Sequence, residues 1–193
     1  VSQLLALFFA MCISVLLGMG MPTTAAYAVA ASVVAPGLIN IGIQPLVAHF
    51  FVFYFAVMSA ITPPVALASY AAAGISGDNA MGTSVASFKI GLAAFIVPFM
   101  FFYSPALLME GSGWQILRVA VTASIGIFML SAAVQAWFFG PAKWLMRIGL
   151  TLGALFLIYG GLYTDIAGLI IIVALYMLQR SMHGGGAKPA TTG

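Results

Sequence analysis

The sequence predicts an all-α integral membrane protein, and its composition and charge distribution carry that prediction. Of the 193 residues, 64% are hydrophobic and only 5% are charged, whereas about a quarter of the residues of a soluble domain are charged. Asp78 is the only charged residue before Lys89, so several apolar segments follow one another with almost no solvated connection. These segments lack the alternating strands of a barrel, which favours helices. The net charge of +3 includes no basic run, and we expect no nucleic-acid partner.

The first apolar segment predicts a re-entrant hairpin over residues 4–39. Leu4–Leu17 is an uncharged, strongly apolar run, but its helix would be about 21 Å long, too short for a hydrocarbon core of about 30 Å. The motif Gly18-Met19-Gly20-Met21-Pro22-Thr23-Thr24 then interrupts the helix, and Pro36-Gly37 is expected to end the second short piece. We expect the chain to enter the membrane, turn at this motif and leave on the side it came from. The alternative is one long helix kinked at Pro22.

A second interruption predicts one broken crossing helix over residues 46–76. Residues 46–61 and 64–75 are two half-length apolar pieces that meet at Ser59-Ala60-Ile61-Thr62-Pro63-Pro64. Consecutive prolines remove two N–H donors and push the residue before each proline out of helical geometry. A simple proline kink is the alternative, because membrane helices tolerate proline.

Further along, the sequence predicts four more crossings and a tail. Residues 88–109 are long enough to span and end at a polar turn, and residues 112–180 are predicted to form three additional transmembrane helices. Gly149 and Gly153 form a G-x-x-x-G pair, which favours close helix packing. The polar, glycine-rich tail over residues 181–193 is expected to be disordered.

The basic residues predict the orientation of the chain. If the hairpin returns to its own side and later crossings alternate, most basic residues share one side: Lys89, Lys143, Arg147, Arg180 and Lys188. Glu110 and Asp165 fall on the opposite side together with Arg118, the one exception among the basic residues. Basic residues concentrate at the cytoplasmic ends of membrane helices, so we expect the open end of the hairpin to lie outside the cytoplasm.

The two interruptions together predict an ion and substrate site built from neutral oxygens. Freed main-chain carbonyls and Ser or Thr hydroxyls can replace the water around a small cation, and helix N-termini attract an anionic substrate. The candidate residues are Gly18, Gly20, Met21, Pro22, Thr23 and Thr24 at the first interruption and Ser59, Ala60, Thr62, Pro63 and Pro64 at the second. No carboxylate lies near either one in the sequence, which favours Na⁺ over a proton relay. The Na⁺ candidates are Gly18, Thr23, Ser59 and Thr62.

Several competing interpretations stay open. Ser and Thr hydroxyls in membrane helices also bond their own main chain, and His49 is expected to be an interfacial residue. Tyr70 is a weaker candidate for facing the substrate. A non-transporting scaffold or assembly protein, whose interruptions are only packing kinks, is the main alternative function. An intramembrane aspartyl hydrolase would need Asp78 at bilayer depth, facing another acid.

Catalysis is not expected. Gly74–Asp78 misses the Gly-x-Gly-Asp spacing of intramembrane aspartyl proteases, and a serine nucleophile would need a histidine partner at depth. Cys12, the two histidines and the three acids form no zinc-ligand spacing. We expect no cofactor other than Na⁺ as a coupling ion.

Residues 1–110 carry a combination of motifs that is more specific than any single one. The motifs are Gly18-Met-Gly-Met-Pro-Thr-Thr-Ala-Ala-Tyr, Pro36-Gly-Leu-Ile-Asn-Ile-Gly-Ile, His49-Phe-Phe-Val-Phe-Tyr, Thr62-Pro-Pro-Val-Ala-Leu-Ala and Ala73-Gly-Ile-Ser-Gly. Together they resemble the C-terminal half of the large membrane (permease) subunit of TRAP transporters, the tripartite, ATP-independent carriers of bacteria and archaea.

The resemblance implies an elevator-type carrier, similar to the ion transporter superfamily, in which residues 1–111 form the second of two inverted repeats. It implies Na⁺ symport of an organic acid that a periplasmic binding protein delivers to the cytoplasmic (inner) membrane. The hairpin would then open to the periplasm and the C-terminal tail would be cytoplasmic.

The chain departs from the commonest pattern of that family in two ways. It continues beyond residue 110 through three more helices, which resembles the branch in which the small and large membrane subunits are fused. Ala66 stands where glycine usually follows Thr-Pro-Pro-Val. Because the chain opens at Val1 inside an apolar segment, we expect it to be the C-terminal piece of a longer protein, whose N-terminal half and small subunit are partners of this part.

Overall fold

The structure, a computed structural model, describes the backbone of residues 2–183 and the side chains of residues 2–181. The helices of that part are α1 (Gln3–Gly18), α2 (Thr23–Asn40), α3 (Pro45–Met58), α4 (Leu67–Ser76), α5 (Ala80–Gly91), α6 (Val97–Tyr103), α7 (Gly113–Gln135), α8 (Trp144–Tyr159) and α9 (Leu162–His183). Four stretches are long and apolar enough to cross a membrane: Thr23–Asn40, Ala80–Tyr103, Gly113–Gln135 and Leu162–Ser181. The prediction of an all-α membrane protein is confirmed.

The first segment consists of two helices, α1 and α2, and not of one kinked helix. α1 ends at Gly18 and α2 begins at Thr23. α2 continues through Pro36 to Asn40, against the expectation that Pro36-Gly37 ends it, because a proline removes only one main-chain donor and membrane helices compensate for that loss. With 18 residues, α2 is also long enough to cross, so the re-entrant path stays a prediction.

The second segment is broken where the sequence predicts it. α3 ends at Met58 and passes into a 3₁₀ turn over Ser59–Ile61. α4 begins only at Leu67, so the chain between the turn and α4 is not helical. α4 ends at Gly77, whose φ of +75° is the left-handed conformation that commonly terminates a helix.

The third segment differs from the predicted span over residues 88–109. Its helix already begins at Ala80, because the Asn79 side chain caps it by accepting a hydrogen bond from the Gly82 N–H at 2.8 Å. The helical run passes through a 3₁₀ stretch and ends at Tyr103, where Ser104 leaves helical geometry. The polar residues after Asn79 hide this start from a hydropathy profile.

The chain divides into two compact units, residues 1–117 and residues 118–193. The core of the first unit lies where α1, α2 and α3 pack, and its centre is aromatic. Phe51 and Phe55 are fully buried, with ring centroids 4.9 Å apart, and the Phe99 ring lies 5.3 Å from Phe51. Fully buried alanines on α2 and α3, such as Ala30 and Ala48, let the helices approach closely.

Glycines hold α8 and α9 together in the second unit. A methyl group added at Gly168 would lie 2.9 Å from the Gly153 carbonyl oxygen, and one added at Gly149 would lie 3.0 Å from Leu175. The predicted role of the Gly149/Gly153 pair in close packing is confirmed. α8 has only 16 residues, so it is shorter than the other helices predicted to cross in this unit.

Arg118, the exception in the predicted charge distribution, has an acidic partner. Its Nε lies 3.8 Å from Asp165 Oδ2, and its guanidinium donates a hydrogen bond to the Gly160 carbonyl at 3.1 Å. The ion pair therefore explains why Arg118 lies at the same end of the second unit as Asp165. At the opposite end, α9 runs to His183, into the tail predicted over residues 181–193, and residues 184–193 lie outside the described part of the chain.

Candidate functional site: two facing helix interruptions

The two interruptions of the first unit are in direct contact through glycines. A methyl group at Gly18 would lie 2.5 Å from Ser59 Oγ and 3.1 Å from the Ala56 carbonyl oxygen, so the end of α1 touches the end of α3. Gly20, with a φ of +80°, faces Val65, since a methyl group there would lie 3.6 Å from Val65 Cγ1. The structure therefore brings the first interruption against the second. The two lie so close at residue 18 that only glycine fits there.

The first interruption has a local cause. Pro22 has no N–H, so the Gly18 carbonyl cannot receive its usual helical donor four residues later. That carbonyl instead accepts a longer bond of 3.3 Å from the Met21 N–H, and the Pro22 carbonyl accepts the first bond of α2 from Ala26 at 2.9 Å. Gly20 provides the left-handed residue that the turn requires.

The second interruption frees main-chain oxygens for the same reason. Pro63 and Pro64 occupy the positions three and four residues after Ala60, so the Ala60 carbonyl has no helical donor. The Pro63–Pro64 peptide bond is cis, and Ala66 has a φ of +27° just before α4. The Tyr70 hydroxyl of α4 donates to the Pro64 carbonyl, which places Tyr70 beside the interruption.

The hydroxyls of the second interruption bond their own main chain, and this leaves their lone pairs available. Ser59 Oγ donates to the Ala56 carbonyl at 2.6 Å, and Thr62 Oγ1 donates to the Met58 carbonyl at 2.8 Å. A hydroxyl that has placed its one hydrogen on a carbonyl still carries two lone pairs on oxygen. The bonds therefore orient Ser59 and Thr62 without preventing either oxygen from binding a cation.

The predicted site residues differ in burial. Gly18 and Ser59 are buried where the interruptions touch. The half-buried residues are Met21, Ala60, Thr62 and Pro63, and the exposed residues are Gly20, Pro22, Thr23, Thr24 and Pro64. Thr23 and Thr24 open α2, so their hydroxyls lie on an accessible helix start and not inside the contact.

Two serines near the site are absent from the predicted set. Ser14 and Ser69 are at most 2% exposed, and neither hydroxyl has a hydrogen-bond partner in the described part of the chain. Ser14 lies one turn before Gly18 on the same face of α1, and Ser69 lies in the first turn of α4. A buried hydroxyl without a partner costs about 1–3 kcal/mol. The sequence shows that both serines lie inside apolar segments, but it does not show that they are buried.

Another glycine brings α5 to the second interruption. A methyl group at Gly91 would lie 2.7 Å from Ile61 Cδ1. Sequence reasoning missed this contact, although a glycine inside an apolar helix is a general sign of close approach.

The Glu110 carboxylate and the His49 ring lie away from the two interruptions along α3. Glu110 accepts two hydrogen bonds from Gln44 Nε2, at 2.8 and 3.0 Å, but Gln44 caps the start of α3, about 20 Å from its broken end. His49 Nδ1 and the Tyr27 hydroxyl are 3.0 Å apart, so His49 has a specific partner. Among the side chains of residues 2–181, no group of three His, Cys, Asp or Glu would hold a metal ion. The oxygens at the interruptions are neutral.

Paired helix interruptions in an all-α membrane protein define a class, the membrane transporters, whose ion and substrate sites lie at such points. A family model, described as the tripartite ATP-independent periplasmic transporter, DctM component, matches residues 1–116. The match covers more than half of the chain. The chain therefore belongs to this family and is a TRAP transporter membrane subunit, as its motifs predict. No curated protein and no solved structure matches the chain. Membership in a transporter family favours transport over catalysis.

Proposed function

We propose that residues 1–116 form half of a Na⁺-coupled carrier for an organic acid, with ion and substrate held where the two interruptions meet. The contact between Gly18 and Ser59 carries the proposal, because it brings the end of α1 against a segment that holds a freed carbonyl and two oriented hydroxyls. Such a convergence is unnecessary in a scaffold whose prolines only bend helices.

The oxygens at this place suit a weakly held monovalent cation. The Ala60 carbonyl lacks a helical donor, and the lone pairs of Ser59 and Thr62 are not consumed by their hydrogen bonds. A proton relay would need titratable groups, and the acids of this unit, Asp78 and Glu110, lie at helix ends remote in sequence from both interruptions. Na⁺ therefore fits the donor set better than H⁺.

Two helix N-termini supply the complementary charge for a carboxylate. α2 and α4 both begin at an interruption, and the first N–H groups of a helix have no partner inside it and carry partial positive charge. The carboxylate of an organic acid would be attracted there. The other half of the site would come from an N-terminal repeat of inverted topology, so this half alone is not expected to transport.

The family context extends the proposal to partners and membrane orientation. A periplasmic binding protein would deliver the acid, the small membrane subunit would be fused to the same chain, and the hairpin would open to the periplasm. The motion would be an elevator movement of both repeats.

The decisive experiment measures uptake of organic acids by the full-length transporter in proteoliposomes with its binding protein. We expect uptake to require an inward Na⁺ gradient and to survive a proton uncoupler. Uptake that ignores Na⁺ but stops with the uncoupler would refute the ion assignment.

Side-chain variants test the individual ligands. Thr62→Ala should raise the half-saturating Na⁺ concentration about tenfold, because a hydroxyl bonded to a charged group contributes about 1.5–3 kcal/mol. Thr62→Ser keeps the hydroxyl and should have the wild-type half-saturating concentration. Thr23→Ala tests the first interruption in the same way. Ser32→Ala is the matched control, since Ser32 also bonds its own helix, at 2.8 Å to the Val29 carbonyl, but is exposed within α2. Wild-type Na⁺ dependence in both threonine variants would leave the Ser59 hydroxyl and main-chain carbonyls as the ligands.

A further inference from the structure

Basic and aromatic side chains gather at the start of α8 in the second unit. We call Lys143, Trp144 and Arg147 the basic–aromatic cluster. The Arg147 guanidinium lies over the Trp144 ring, 5.7 Å from its centroid, and its Nε donates to the Ala133 carbonyl of α7 at 2.8 Å. Arg147 is therefore held in place by one hydrogen bond and one ring contact.

Two apolar grooves open beside this cluster. One, with a volume of about 300 Å³, is lined mainly by Val134, Trp144, Arg147, Ile148, Thr151 and Leu152. The second, with a volume of about 430 Å³, is lined mainly by Pro141, Lys143, Leu145, Met146, Leu175 and Leu178. Each groove thus combines aliphatic walls with a single cation, Arg147 in the first and Lys143 in the second.

Nothing acidic in the described part of this unit compensates these cations. The one carboxylate of this part is Asp165, at the start of α9, and it pairs with Arg118 of α7. The cluster lies at the other end, because Gln179 near the end of α9 donates to the Pro141 carbonyl just before Lys143, at 3.4 Å. Gln179 lies fourteen positions after Asp165 on α9, which corresponds to about 21 Å of helix.

We propose that the basic–aromatic cluster binds an anionic phospholipid. The lipid phosphate bonds Lys143 and Arg147, and its acyl chains lie in the two grooves. Basic side chains at the edge of a membrane helix attract anionic lipid, and an exposed tryptophan such as Trp144 sits at the level of lipid headgroups. Free phosphate would leave the aliphatic grooves unused, whereas a phospholipid matches both the charge and the apolar walls. This site is separate from the proposed transport site and does not depend on it.

The test is native mass spectrometry of the purified full chain in detergent, titrated with phosphatidylglycerol or with phosphatidylcholine of identical acyl chains. We expect phosphatidylglycerol to bind at least tenfold more tightly. Each lost cation should weaken its binding about fivefold, and Lys143→Gln/Arg147→Gln together about 25-fold. Lys89→Gln, which removes an exposed cation of the other unit, is the control and should leave binding unchanged.

Two further arms separate charge from structure and lipid from free anion. Arg147→Lys keeps the charge but loses the Nε bond to Ala133, and it should bind phosphatidylglycerol within about twofold of wild type. If Arg147→Lys loses as much binding as Arg147→Gln, the residue acts through its packing and the proposal is wrong. Equal binding of the two lipids, or displacement of phosphatidylglycerol by millimolar inorganic phosphate, would also overturn it.

Discussion

Gly18 is where α1 and the end of α3 touch, and Gly18→Ala tests whether this contact holds the two interruptions together. The added methyl would lie 2.5 Å from Ser59 Oγ, 2.9 Å from Ser59 Cβ and 3.1 Å from the Ala56 carbonyl oxygen. Ser59 could rotate its hydroxyl away only by losing its bond to Ala56, and the carbonyl belongs to the backbone of α3. The helices must therefore separate.

The expected loss of stability combines two opposing effects. Forcing a methyl group into a filled site costs about 1–3 kcal/mol, while replacing glycine by alanine in a helix contributes about 0.5–1 kcal/mol in return. We expect a net loss of about 1–2 kcal/mol for Gly18→Ala. Gly37→Ala in α2 is the control, because no atom lies within 4 Å of a methyl group there, and it should stabilise by about 0.5–1 kcal/mol.

The assay is SDS titration of the purified chain in mixed micelles, followed by far-UV circular dichroism. Ser59→Gly removes two of the three close contacts, so the double variant with Gly18→Ala should recover about 1 kcal/mol beyond additivity. Gly18→Ala as stable as Gly37→Ala would show that the two interruptions do not pack as described. A double variant that is merely additive would place the clash elsewhere.

The same titration checks two other sites. Ala66→Gly should change the stability by less than about 0.5 kcal/mol, because relief of the left-handed φ of +27° at Ala66 offsets the loss of a buried methyl group. Ala73→Gly is the control: Ala73 is equally buried but helical, so its substitution should cost about 1–2 kcal/mol. Equal losses at both positions would contradict a strained backbone at Ala66. Arg118→Leu should lower the stability by about 3 kcal/mol, since it leaves the buried Asp165 carboxylate unpaired. The double variant Arg118→Leu/Asp165→Leu should be close to wild type in stability, because it removes both charges. A double variant as unstable as the single one would show that the loss of the ion pair is not the cause.

The sequence predicted the positions of the two helix interruptions better than the bounds of the helices around them. Gly20, Pro22 and the Pro63–Pro64 pair act on the backbone within a few residues, by removing donors or permitting left-handed φ, so their positions are visible without a structure. The start of the third helix at Ala80 was not visible, because polar residues on both sides of its cap Asn79 lower the local hydropathy to that of a loop.

Other contacts between residues far apart in the chain were not predicted. Ser14 and Ser69 look like ordinary polar residues of membrane helices, and only packing shows that both hydroxyls are buried without a partner. Arg118 looked misplaced by the charge pattern, because its partner Asp165 is 47 residues away. Neither composition nor periodicity reports on such pairs.

By itself, the sequence determined that this is an all-α membrane protein of the TRAP transporter family, interrupted near Pro22 and Pro63. Those properties follow from transfer of apolar segments into lipid and from the missing N–H of proline, which act residue by residue. Only the tertiary structure decided that Gly18 meets Ser59 and that Lys143 and Arg147 border apolar grooves. Both depend on which helix faces which, and that is set by the packing of many side chains at once.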